Sequence, residues 1–220
     1  MNKMCRTNTQ SGRSMIEMLG VLAIVGVLSI GGIAGYSKAM MKFKINKTIE
    51  QISQISANIR ALYIKQRNYA SLGNYINMNY KLLKKANLVP LEIFEGGSGS
   101  SETMINAFGG IFRVNADGKF THDDNKAFIV GVEGIPEEAC IELATQDWGA
   151  GSDRGLIAVA VDHATAQVWG YSNNCQGGLS AYHAEACNGG SGTSIPMPVD
   201  VAVEGCDCTY GLCSFAVKYY

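Results

Sequence analysis

Apolar positions along the chain fall into three regimes. Residues 18–37 contain no charged side chain. Twenty helical residues at ~1.5 Å each span ~30 Å, the thickness of a bilayer's hydrocarbon layer. A secretory apolar core is shorter, roughly 7–15 residues. Small residues at Ala34 and Ala39 would admit cleavage by an ordinary signal peptidase, but no Ala-x-Ala site follows the run. Beyond Lys38, Lys42, Lys44 and Lys47 the pattern changes. Ile45, Ile49, Ile52, Ile59 and Tyr63 recur at helical spacing, and Ile55 and Leu62 widen the stripe. With no proline before Pro90, one helix is predicted from about Ser14 to Arg67, ~80 Å long.

The third regime is a series of short apolar runs between turn residues. A polar stretch with Asn74, Tyr75, Asn77, Asn79 and Tyr80 reads as a loop, followed by a short helix over 81–87. The Gly/Ser segment 96–101 reads as a flexible loop. Strands are predicted at 111–114 and 118–121 around an Asp117-Gly118 turn, and at 127–132. Pro136, Glu137 and Glu138 open a short helix through about Thr145. Residues 156–161 and 167–170 read as a hairpin, and 215–219 as a terminal strand. The expected class is α+β, a long helix on a mostly antiparallel sheet. The expected organisation is a leader at 1–12, the helix at 13–67 with its membrane span at 18–37, a loop region at 68–110, and a globular head at 111–220.

Composition changes this picture in one respect. The chain has 18 Lys+Arg and 19 Asp+Glu, net −1, which excludes a basic nucleic-acid binder. That total averages unlike halves. Residues 13–87 hold 11 basic and 2 acidic residues, net +9, while 88–220 hold 5 and 17, net −12. Such halves can attract each other between copies of the chain, or stand as a solvated basic helix and an acidic head.

The residues ahead of the apolar run are more specific. A short leader with Lys3 and Arg6 and no acid leads into Ser11-Gly12-Arg13-Ser14-Met15-Ile16-Glu17. Ser14 and Glu17 have the spacing of a capping box, which would place Glu17 in the first helical turn for purely local reasons. A basic leader, a Gly, a Glu five residues on and an unbroken apolar helix together resemble the type IV prepilin signal. The resemblance implies cleavage between Gly12 and Arg13 by a membrane-embedded aspartyl peptidase, and N-methylation of Arg13, which stands where the family more often has Phe, Met or another apolar residue. It also implies that Glu17 pairs with the terminal amine of a neighbouring subunit. An ionised carboxylate entering a membrane is tolerable when such an ammonium meets it. Gly31 and Gly35 form a small-xxx-small pair that permits close helix packing. Glycine is equally common in membrane helices without a role, and in this family a glycine cluster can also let the helix unwind locally. The head is similar in order to the type IVb pilins, the toxin-coregulated and bundle-forming class, with a short helix bearing Cys140, then Trp148, strands and a C-terminal cysteine.

The chain has 7 cysteines. Loss of the leader removes Cys5 and leaves Cys140, Cys175, Cys187, Cys206, Cys208 and Cys213, an even set that reads as three disulfides made outside the cytoplasm. That places the head outside, where basic flanks on both sides of the apolar run give no orientation. Six cysteines allow 15 pairings. Loop geometry suggests Cys175–Cys187 and Cys208–Cys213, with Cys140–Cys206 remaining. A zinc site from Cys206, Cys208 and Cys213 with His183 or Cys187 is the alternative.

No Gly-x-x-x-x-Gly-Lys-Ser/Thr, Gly-x-Ser-x-Gly or His-Glu-x-x-His occurs, and His122, His163 and His183 are isolated near predicted loops. Asp117, Asp123 and Asp124 could gather oxygen ligands for calcium, but they fit no EF-hand spacing, and a plain hairpin turn is the preferred reading. The expectation is a non-enzyme without metal or cofactor. It would be inserted through the translocon into the inner membrane, cut by prepilin peptidase, and passed by an assembly platform into an extracellular homopolymer. A minor pilin or secretion pseudopilin, or a membrane-anchored binding module, are the alternative readings.

Overall fold

A computed structural model of the 220-residue chain describes residues 15–66, 68–74, 77–96, 102–116, 125–149, 155–162, 178–179, 183–188, 193–208 and 212–220. Within it, helix α1 (Met15–Tyr63) runs 49 residues without a break. The chain divides into two units, Met1–Lys42 and Phe43–Tyr220. In the first, every described residue through Ala39 is exposed. Two hydroxyls on this apolar stretch are satisfied within the helix: Ser29 Oγ donates to the Val25 carbonyl at 2.7 Å and Ser37 Oγ to the Ile33 carbonyl at 3.0 Å.

The second unit begins where α1 acquires a buried face. Ile45, Thr48, Gln51, Ile52, Ile55, Ser56, Ile59 and Tyr63 are buried. The stripe is more polar and slightly rotated from the sequence expectation. Ile49 is half-buried and Leu62 is 47% exposed, because spacings of three and four centred on Ile52 and Ile59 leave both on the flanks. Beyond Tyr63 the chain turns back, and Tyr69 packs between Tyr63 and Phe128 with ring centroids 5.0 and 4.8 Å away. The helix therefore ends four residues short of Arg67, which itself lies outside the described residues.

Helix α2 (Tyr80–Lys85) starts where the Asn79 side chain accepts from Leu82 N at 3.0 Å. A two-stranded sheet pairs β1 (Phe94–Gly96) with β2 (Glu102–Met104). It is clamped to α2 by Lys84 and Glu102 at 2.7 Å. Asn58 on α1 donates to the Leu88 carbonyl at 3.3 Å.

The main sheet holds β3 (Phe112–Ala116), β4 (Phe128–Ile135), β5 (Leu156–Asp162), β6 (Gly178–Leu179), β7 (His183–Cys187) and β8 (Cys213–Tyr219) in the order β3-β4-β8-β5-β7-β6, with every pair antiparallel. The C-terminal strand is thus central. Val130, Val217 and Val159 form one cross-strand row, and Val132, Phe215 and Val161 the next, all fully buried. The opposite face of these strands is polar, with Glu133, Ser214, Lys218, Asp162 and Glu185 buried and Arg113 paired to Glu133 at 3.2 Å. One expected hairpin, 156–161 with 167–170, is displaced, because both edges of β5 are taken by other strands. β3 pairs along its length with β4, and β5 lies between β8 and β7; the expected partners at 118–121 and 167–170 lie outside the described residues.

Helix α3 (Glu137–Thr145) follows Pro136 and carries Glu137 and Glu138 in its first turn. Its end is tied by Trp148 Nε1, which donates to the Leu143 carbonyl at 2.8 Å. Helix α4 (Val199–Gly205) packs on α3, β5 and β7. Arg60 of α1 lies over the Tyr219 ring, Trp148 packs on Phe215, and Gly205 faces Ala184 and Val161. By strand alternation all these sheet residues share one face, so α1, α3 and α4 cover the apolar side of the sheet.

Candidate assembly helix and disulfide-bonded head

The exposed half of α1 is the most unusual surface of the molecule. Ile16, Leu19, Val21, Leu22, Ile24, Val25, Val27, Leu28, Ile30 and Ile33 are between 51% and 78% exposed. Among the described residues, α1 is the one helix long and apolar enough to cross a membrane. A soluble monomer rarely shows contiguous apolar patches above a few hundred Å². This segment requires lipid or other apolar surface around it. Glu17, in the first turn, is its one acid before the lysines. Gly31 and Gly35 sit one turn apart, and a Cβ at either would meet nothing within 4 Å. Gly12 and Arg13 lie outside the described residues.

Four cysteines gather where α3, the end of α4 and the start of β8 meet. Cys140 is bonded to Cys206 with Cα atoms 5.9 Å apart, and Cys208 to Cys213 at 5.3 Å. Cys187 on β7 is also disulfide-bonded; Cys175 lies outside the described residues. The bonded state leaves no thiolates on Cys206, Cys208 or Cys213 for the zinc alternative. The Sγ atoms of Cys140, Cys208 and Cys213 nonetheless lie within 4.8 Å of one another. His183 is the first residue of strand β7, while His122, His163, Asp117, Asp123 and Asp124 lie outside the described residues.

The end of α1 meets the C-terminus at a cluster that no sequence pattern announced. Tyr219 stacks on Phe128 at 5.7 Å, lies 5.9 Å from the Arg60 guanidinium carbon, and donates from its hydroxyl to the Trp148 carbonyl at 3.4 Å. Burial pushes its phenol up to about 12, against the weaker opposing effect of the Arg60 charge. Burial also raises Tyr69, with Arg60 again opposing. Ala57, Arg60, Ala61, Ile64, Tyr69 and Tyr220 line a cleft of about 430 Å³ beside this cluster. The charge asymmetry is visible on the helices: α2 carries Lys81, Lys84 and Lys85 and no acid, while α3 and α4 carry Glu137, Glu138, Glu142, Asp200 and Glu204 and no base.

A family model described as PilS, N terminal, matches residues 33–194. The chain is 21% identical over 209 residues to the major structural subunit of bundle-forming pilus from Escherichia coli O111:H-, covering 94% of this chain and 95% of that one. It is 24% identical over 148 residues to the major structural subunit of bundle-forming pilus from Escherichia coli O127:H6 (strain E2348/69 / EPEC), covering 67% and 70%. Among solved structures it is similar to TcpA, a type IV pilin from Vibrio cholerae El Tor biotype, with a TM-score of 0.54 and 16% identity over 80% of this chain and 99% of that one. The fold, a long N-terminal helix on an antiparallel sheet with disulfides, is the type IV pilin fold.

Proposed function

The chain belongs to the PilS N-terminal family, and on that premise we propose that it is a prepilin, a structural subunit that polymerises into a type IV pilus. The observation that carries the reading is the exposed apolar half of α1, headed by one acid and joined to a disulfide-bonded head. Burying each Leu, Ile or Val of that half contributes ~1.5–3 kcal/mol. A bilayer supplies that burial to the precursor, and neighbouring helices supply it in a filament. The same segment can therefore serve as anchor and as polymer core.

The leader, residues 1–12, is removed between Gly12 and Arg13 by prepilin peptidase, and the new amine of Arg13 is methylated. Glu17 lies four residues on, ~6 Å along a helix. Its carboxylate enters an apolar environment at a cost of several kcal/mol that a neighbouring subunit's terminal ammonium offsets. Gly31 and Gly35 let adjacent helices approach closely. The precursor resides in the inner membrane, with its head oxidised outside. The translocon and an assembly platform deliver it to an extracellular filament used in surface attachment or a related pilus function. Mass spectrometry of protein sheared from the cell surface tests this: a mature N-terminus at Arg13 is expected, and an N-terminus elsewhere overturns the reading.

A further inference from the structure

The two disulfides at the meeting of α3, α4 and β8 are close enough for a thiolate released from one to attack the other. Cys140 and Cys206 are separated by 66 residues and Cys208 and Cys213 by 5, yet the Cys140 sulfur lies within 4.8 Å of both sulfurs of the second bridge. Only one residue, Asp207, separates Cys206 from Cys208. Cys140, Cys206 and Cys213 are fully buried, whereas Cys208 is half-buried and offers a reagent its way in. Thiol–disulfide exchange needs a thiolate that can reach a disulfide sulfur, and it conserves the number of disulfides. Burial of three of the four sulfurs limits the access of solvent thiols to them.

We propose that these four cysteines form one exchange unit, in which Cys140 can pass from Cys206 to Cys208 or Cys213 without external oxidant. In the chain lacking Cys206, the Cys140 thiolate attacks Cys208 Sγ, a Cys140–Cys208 bond forms, the Cys208–Cys213 bond breaks, and Cys213 leaves as a thiolate that solvent protonates. Attack on Cys213 instead releases Cys208. In the intact chain a dithiol reductant first opens Cys208–Cys213 and departs as its own disulfide. The Cys213 thiolate then attacks Cys140 and releases Cys206. In every product Cys140 keeps α3 tied to the stretch Cys206–Cys213, which links the end of α4 to the start of β8. The arrangement gives oxidative folding several routes to a closed head.

The test uses the full chain. Free thiols are trapped by alkylation in acid, and linked peptides are mapped without reduction by mass spectrometry. In Cys206→Ser, the three cysteines left in the cluster share one bond, and Cys140 bonded to Cys208 or Cys213 should be found, in about two thirds of molecules where the three pairings are equally stable. Cys140 fully alkylated beside an intact Cys208–Cys213 bridge would overturn the proposal. Because that variant can misfold, the intact chain is also treated with a limiting dithiol. At the point where one of these two bonds is lost per molecule, cross-linked peptides Cys140–Cys208 or Cys140–Cys213 and alkylation across all four cysteines are expected. Label confined to one native pair, with the other pair intact, overturns it.

Discussion

Tyr219 shows how a single side chain reports the packing around it. Its ring is held between Phe128 and Arg60, and burial raises its phenol to about 12. In the unfolded chain the phenol ionises near 10, so the unfolded state releases its proton first as pH rises. The contribution to stability is therefore fully present below about pH 10 and is lost as pH climbs towards 12. Tyr219→Phe should raise the midpoint of alkaline unfolding, followed by circular dichroism. At neutral pH it should cost ~0.5–1.5 kcal/mol through loss of the hydrogen bond to the Trp148 carbonyl. Glu17 behaves in the opposite manner: nothing within the described chain depends on it for folding, and its effect belongs to assembly. Glu17→Val should leave membrane insertion intact, as read by fractionation. It should reduce sheared filaments by at least about tenfold, the loss that 1.4 kcal/mol at the docking step produces.

Elements differ in how openly the sequence declares them. The apolar run and the Ile stripe of α1 state a helix directly, although its buried face includes Thr48, Gln51 and Ser56, which periodicity of apolar residues could not select. Helix α3 was legible through Pro136 and its two leading acids. Helix α4 was not. Val199, Val201 and Val203 alternate in the manner of a strand, and the segment is helical because its small residues, Ala202 and Gly205, seat it on the sheet. A Cβ at Gly205 would meet Ala184 Cβ at 2.5 Å and Val161 Cγ2 at 2.7 Å. Gly205→Ala should therefore destabilise the fold by ~1–3 kcal/mol. A fall of roughly 2–4 °C per kcal/mol in a thermal melt would register it. Strand β7 was hidden for a related reason. Ala184 and Ala186 are weak strand formers, and only pairing with β5 makes them extended and fully buried.

At the scale of the whole molecule, the division at Lys42 separates two solvation problems. The unit Phe43–Tyr220 has its own apolar core between helices and sheet, whereas the exposed apolar residues of α1 before Phe43 have none. A chain beginning at Phe43 should be soluble and monomeric by size-exclusion chromatography, with the head's secondary structure retained. The full chain should require detergent, lipid or polymer to remain dispersed. Loss of cooperative melting in the shortened chain would contradict this. The near-neutral net charge of −1 also resolves at this scale, into lysines on α2 and acids on α3 and α4.

The sequence by itself determined the features that depend on local order: the apolar run, the placement of Glu17 at its edge, the continuation into an amphipathic helix, and the apolar short segments that become β3, β4, β5 and β8. Hydrophobic periodicity and the absence of proline act over neighbouring residues, so one chain suffices to read them. Only the tertiary structure decided that the last strand lies at the centre of the sheet, that α4 is helical, and that Cys140 and Cys206 are joined across 66 residues. Those outcomes depend on which distant surfaces meet, and burial against a partner overrides the local preference of Val199–Gly205 and of His183–Cys187.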